Sequence, residues 1–173
     1  MSLKKIIIHP DPRLKKICDR VDGVSPELRK LATDMLETMY DAPGIGLAAP
    51  QVGVLERFFV MDVAAKESAP EPRVLINPRV TWASEDENAY EEGCLSIPGI
   101  YEEITRPASV RMAFSDLDGK EHEEEFEGLT ATCVQHELDH LDGKLFVDYL
   151  SGIKRRMITA KMKKLKKERA REG

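Results

Sequence analysis

His136 and His140 stand four residues apart in the stretch Gln135-His136-Glu137-Leu138-Asp139-His140. On a helix, residues at that spacing lie one above the other on the same face, so a single metal ion can engage both imidazoles. Glu137 follows the first histidine directly, where its carboxylate can reach a water held by the ion without becoming a ligand. Two ligands and a general base on one rigid element imply metal-assisted hydrolysis. A pair of histidines that merely pack on a helix surface is the plainer alternative.

Such a site needs a third ligand. In the metzincin spacing a third His lies six positions after the second. That position holds Phe146, and no His follows His140, although Gly143 matches that pattern's glycine. A thermolysin-like site needs a downstream acid, but Glu168 and Glu172 lie in a basic tail that is a poor setting for a cation. Upstream, Glu92-Gly93-Cys94-Leu95-Ser96 carries a cysteine on a segment whose glycine lets the backbone turn. A lone cysteine is more often a small buried hydrophobe, the reading that suits Cys18 and Cys133.

The elements that must position these residues can be read from periodicity. The histidine pair falls in a helix expected from about Leu129 to Leu141, closed by Asp142-Gly143. Ser25-Pro26-Glu27 starts another helix, with Ser at the cap, Pro in the first turn and an acid near the positive dipole end. Leu28, Leu31, Met35 and Met39 follow at helical spacing, so 26–40 should be amphipathic. Arg57 to Val63 and Val74 to Val80 read as strands. Val110, Met112 and Phe114 alternate before the turn signal Asp118-Gly119, and the acidic segment Glu121 to Phe126 should return as an edge strand. A last helix is expected over about 151–171, with Ile153, Met157, Ala160 and Leu165 as a rough apolar stripe. Strands in the middle and helices toward the ends give an α+β fold, and the 173 residues are expected to form one domain.

Composition narrows the setting. Three cysteines at wide spacings argue against a disulfide framework and for a reducing compartment. Ile6 to Ile8 is too short for a signal-peptide core and no stretch could span a membrane, so a cytoplasmic location with no membrane partner is expected. The net charge of −5 hides an asymmetry: from Lys154 onward there are ten Lys or Arg against two Glu. That tail is either a solvated helix face or a contact for something anionic.

Three motifs in fixed order now bear on the whole. Gly44-Ile45-Gly46-Leu47-Ala48-Ala49-Pro50-Gln51, Glu92-Gly93-Cys94-Leu95-Ser96 and Gln135-His136-Glu137-Leu138-Asp139-His140 together resemble the peptide deformylase family, and the likeness extends over nearly the whole chain. The resemblance implies antiparallel or mixed sheets packed around a central metal-binding helix, with a C-terminal helix. It implies Cys94, His136 and His140 as metal ligands, Glu137 as general base, and the Gln51 side chain with the Leu95 backbone N–H as donors to the developing oxyanion. The implied substrate is the N-formyl-methionine end of newly made polypeptides, giving formate. The implied metal is Fe2+, with Zn2+ or Ni2+ able to substitute.

Substrate-binding candidates follow from the same likeness. Leu129, Thr132 and Cys133 share the His136 face and could line a pocket for an unbranched apolar side chain, or could only pack the core. Gly44, Ile45 and Gly46 could admit a peptide backbone as an added strand, with Ile45 on the pocket wall, or could be an ordinary turn. Some bacterial members carry an arginine near the position of Tyr101, which puts peptide affinity beyond the first residue in doubt. For related enzymes a basic C-terminal extension is associated with the ribosome, so ribosomal RNA is a candidate partner for the tail. Two rival classes remain: a general metalloprotease with an extended cleft, and an RNA-binding module with a closed structural metal site.

Overall fold

The strand Phe58–Met61 is buried at all four residues, and that fact organises the fold. Alternate side chains of a strand point to opposite faces, so a wholly buried run needs cover on both. The computed structural model, which describes residues 2–64 and 69–172, supplies it. The strands are β1 (Gly46–Ala48), β2 (Phe58–Met61), β3 (Arg73–Ala83), β4 (Glu87–Cys94), β5 (Ile97–Pro107), β6 (Ser109–Ser115) and β7 (Glu121–Glu127). The helices are α1 (Pro26–Asp41), α2 (Gly128–Leu141) and α3 (Gly152–Glu172). An antiparallel five-stranded sheet runs in the order β1-β2-β3-β6-β7, and β4 and β5 form a separate antiparallel pair.

Phe58 and Val60 face α1, where they join Leu28, Ala32, Met35, Met39 and Leu47. Phe59 and Met61 face α2, with Leu75, Val110, Met112, Phe114, Phe126, Ala131, Cys133, Val134 and Leu141. The helix carrying the histidine pair is therefore central, pressed on one side against the large sheet and on the other against the β4–β5 hairpin. This is the expected α+β class.

Local signals match the elements they predicted. Ser25 Oγ accepts the Leu28 N–H at 3.1 Å and caps α1. Gly143, at φ 75°, closes α2 and donates to the His140 carbonyl at 3.2 Å; a side chain there would also strike the Lys15 backbone. The Asp118-Gly119 turn joins β6 to β7, and β7 is the sheet edge, its acids answered in part by Arg73 and Arg111. The β4–β5 hairpin, by contrast, was not anticipated. Its sequence mixes acids, aromatics and glycines with no clean alternation, since much of it is exposed.

The last helix docks on a face that shares only Leu165 with the stripe expected. Ile153 and Met157 are 66% and 57% exposed, whereas Ile158 and Met162 are buried beside Leu165. They pack against Ile7, Ile8, Leu14, Ile97, Ile104 and Phe146. Residues 158, 162 and 165 have the same i, i+4, i+7 spacing as the expected stripe, so periodicity could not choose between the two faces. Among the described residues, no helix is long and apolar enough to cross a membrane.

Candidate metal centre

Cys94 ends β4, the two-residue turn Leu95-Ser96 follows, and β5 begins at Ile97. This places the Cys94 thiol opposite the histidine face of α2. Cys94 Sγ lies 3.4 Å from His140 Nε2, and the two histidine Nε2 atoms are 3.3 Å apart. All three donor atoms fall within 4.8 Å of one another. Both histidines are buried, and their rings meet edge-on at 73°. One sulfur and two imidazole nitrogens converging on one point fit a divalent first-row ion by ligand type and by number. Among the described residues no other group of donors meets that criterion, and this one has three members. Among the described residues no fourth donor joins it to close a four-ligand structural site.

Glu137 lies beside this cluster and is not part of it. Its carboxyl group is enclosed, Oε1 has no hydrogen-bond partner among the described residues, and burial pushes its pKa up to about 7. The space it occupies exists because residue 46 is glycine: a Cβ there would collide with the Glu137 carboxylate. Without a metal, burial and the neighbouring His136 hold His140 well below its ordinary pKa, while at His136 burial is outweighed by the contacts with Cys94 and Glu92, which hold it well above.

The first ligand is oriented from behind. His136 Nδ1 bonds Glu92 Oε1 at 2.9 Å, which turns Nε2 toward the cluster. Glu92 in turn accepts two bonds from Arg106, at 2.7 and 3.0 Å, and Arg106 Nη1 donates to Asp139 Oδ2 at 2.8 Å. Tyr149 adds its hydroxyl to the same Asp139 oxygen at 2.7 Å, while its ring lies under the Arg106 guanidinium. Burial works against the Glu92 charge, but the bonds from His136 and Arg106 outweigh it and keep its pKa low. Sequence reasoning gave none of these four residues a role. Glu92 and Asp139 sit inside the quoted motifs and could have been questioned; Arg106 lies in the unforeseen hairpin, and Tyr149 carried no signal.

Gln51 is buried and tightly held. Its Oε1 accepts the Ala48 N–H at 2.9 Å, which points Nε2 at Ser96 Oγ, 3.0 Å away, and at Cys94 Sγ, 3.5 Å away. Leu95 lies in the same turn, and its side chain packs where a Cβ on Gly44 would intrude. Gly93 has a different task from the one expected. Its backbone φ is not positive; instead it lies under the Tyr101 ring, which a Cβ would meet at 2.5 Å.

An open groove passes over the cluster. Gly44, Ile45, Gly46, Gln51, Cys94, Leu95, Tyr101, Leu129, Thr132, Cys133, His136 and Glu137 all line it, so every residue singled out from sequence meets there except His140, which lies beneath the floor. β1 is the other edge of the large sheet and borders this groove. Phe146, at the position where a metzincin would carry its third histidine, packs against the His136 ring.

Comparison with known proteins agrees with this geometry. The family model for polypeptide deformylase matches residues 3–156. A peptide deformylase of Bradyrhizobium diazoefficiens is 57% identical over 171 residues, covering 96% of this chain and 98% of that protein. The crystal structure of a peptide deformylase from Legionella pneumophila superposes with a TM-score of 0.90 at 45% identity, covering 98% of this chain and 99% of the other. A structure of the Ehrlichia chaffeensis peptide deformylase in complex with actinonin gives 0.89 at 40% identity, covering 95% and 98%.

Proposed function

Because the chain belongs to the polypeptide deformylase family, we infer that it removes the N-formyl group from the formyl-methionine terminus of newly made polypeptides and releases formate. The observation that carries the residue assignments is the meeting of three convergent metal donors with a buried carboxylate that has an unpartnered oxygen. When bound, the ion supplies Lewis acidity toward the formyl oxygen and acidifies a coordinated water. Cys94, His136 and His140 would hold it. The Cys-His-His donor set suits iron, nickel and zinc alike; we assign iron(II) as the working metal, with zinc or nickel as substitutes, because the family resemblance implies it.

Glu137 takes a proton from the attacking water and delivers it to the leaving amine. Burial raises its pKa to about 7 in the metal-free protein, and a cation held by the adjacent ligands would favour the ionised form that accepts the proton. Charge builds on the formyl oxygen as the carbon becomes tetrahedral, and the Gln51 Nε2 and Leu95 backbone N–H donate to it. Gly44, Ile45 and Gly46, at and just before the start of the edge strand β1, accept the peptide backbone as an added strand, supported by the place of β1 at the end of the sheet. Ile45, Leu129, Thr132 and Cys133 form the pocket for the methionine side chain. Tyr101 lines the groove wall along which the peptide would continue past its first residue.

The outward face of α3 is a candidate ribosomal RNA contact, and the cytoplasm is the working location, because that is where nascent chains are formed. Formate release from formyl-Met-Ala tests the core reading. Wild type should be active, actinonin should block it, and Glu137→Ala should be inactive with its metal retained. Activity in that variant would remove Glu137 from the mechanism.

A further inference from the structure

The N-terminal segment takes no part in the chemistry above, yet its backbone is bonded to both parts of the oxyanion site. The Ile7 N–H donates to the Gln51 carbonyl at 2.7 Å, and the His9 N–H, two residues on along the same edge, donates to the Ser96 carbonyl at 2.9 Å. Between these anchor points the side chains of Gln51 and Ser96 meet at 3.0 Å. Ser96 is the second residue of the turn whose first is Leu95. Residues 7–9 therefore tie the backbone of Gln51 to the turn that carries Leu95.

The segment is itself held from the far side by α3. Ile7 and Ile8 pack with Ile158 and Met162, and His9 Nε2 shares a hydrogen bond of 2.8 Å with Thr159 Oγ1. His9 is buried, and its other ring nitrogen has no hydrogen-bond partner among the described residues. A buried, unsatisfied nitrogen costs stability that an apolar ring of similar size would not. What the histidine adds is a directional bond to the C-terminal helix.

We propose that residues 7–9 form a strap that sets the spacing of the two oxyanion donors, and that the His9–Thr159 bond makes the seating of α3 part of that setting. This rests on the assignment of Gln51 and Leu95 as those donors. His9 and Thr159 are then positioning residues. Because the oxyanion exists only in the transition state, loosening the strap lowers kcat and leaves KM alone.

A double-mutant cycle tests this on the metal-loaded enzyme with formyl-Met-Ala. Thr159→Val removes the hydroxyl and keeps the shape; Thr159→Ser keeps the hydroxyl. The expected loss for Thr159→Val is about fivefold in kcat, the equivalent of one net hydrogen bond, with KM and metal content unchanged. Thr159→Ser should restore the rate, and Thr159→Val should cost less in a Gln51→Ala background than in wild type. A Thr159→Val enzyme with a lowered Tm but wild-type kcat at 25 °C would make the contact purely structural and overturn the proposal, as would an equal cost in both backgrounds. The two readings fail separately. Wild-type kcat in Gln51→Ala alone removes the oxyanion assignment, whereas a damaged Gln51→Ala beside an undamaged Thr159→Val removes only the strap.

Discussion

Glu137 and Gly46 show how a single position carries both chemistry and cost. The carboxylate is buried among other polar groups, and its oxygen without a protein partner is held ready for a ligand at an energetic expense. Its pKa is raised from 4.5 to about 7, so the folded metal-free protein prefers the protonated form. The contribution of this group to stability is complete below about pH 4.5 and is lost as pH rises through about 7. Glu137→Gln keeps the shape and cannot ionise. Metal-stripped Glu137→Gln should therefore be more stable than metal-stripped wild type above pH 7, by about 3 kcal/mol, with the difference vanishing near pH 4. Urea melts of both proteins across that range measure it; a constant offset would mean that the carboxylate is not buried as described. The loaded variant should lose about a thousandfold in kcat. Gly46→Ala makes the complementary test by pushing a methyl group against Glu137. It should lower kcat at least tenfold while the three ligand residues remain intact.

At the scale of elements, the site depends on how firmly the hairpin β4–β5 is tied to α2. Cys94 comes from one and the histidines from the other, and Arg106 links them through Glu92 and Asp139. Arg106→Met would leave two largely buried carboxylates facing each other with no cation between them. The expected cost is about 3–5 kcal/mol of stability, with metal affinity reduced by roughly 10- to 100-fold. Chemical denaturation and competition against a chelator read the two effects separately, and an unchanged Tm would show that the network holds nothing together. Two kinds of element were readable from the chain alone. Helices α1 and α2 declared themselves through caps and a 3.6-residue period, and β2, β6 and β7 through apolar runs or a turn signal. The hairpin was not readable, because only four of its nineteen strand residues are buried and the contacts that hold it to α2 reach 33 to 46 residues along the sequence, which local pattern does not record. The same limit explains the ligands. Cys94, His136 and His140 were named through motifs, but the salt-bridged residues behind them appear only when the chain is folded. The docking face of α3 shows a further ambiguity, since two stripes of equal period compete. Met162→Ala should cost about 2–5 kcal/mol and Met157→Ala less than about 0.5 kcal/mol; equal costs would return the helix to the face expected from sequence.

For the molecule as a whole, the division of charge follows the division of labour. The body that holds the groove is acidic, and the basic residues are concentrated on one helix at its rim. With Ile158 and Met162 turned inward, a rotation of about 100° per residue sends Arg156, Lys164, Lys167 and Arg171 outward, together with the exposed Ile153 and Met157. Truncation after Arg155 is accordingly a poor probe of any ribosomal contact, because it also strips the buried anchors of the N-terminal strap. The cleaner variant is Arg156→Gln, Lys164→Gln, Lys167→Gln, which changes charge and leaves the packing. If that face meets ribosomal RNA, each lost phosphate contact removes a released counterion, so the triple variant should bind ribosomes more weakly. Its dependence of log K on log salt should be shallower by roughly 2 to 3. Formate release from a dipeptide should be unchanged, because neither His9 nor Thr159 is disturbed. Ribosome sedimentation across a salt series gives the slope. Identical slopes for the two proteins would leave the basic face as a solvated surface, and the helix would then act on catalysis only from its inner side.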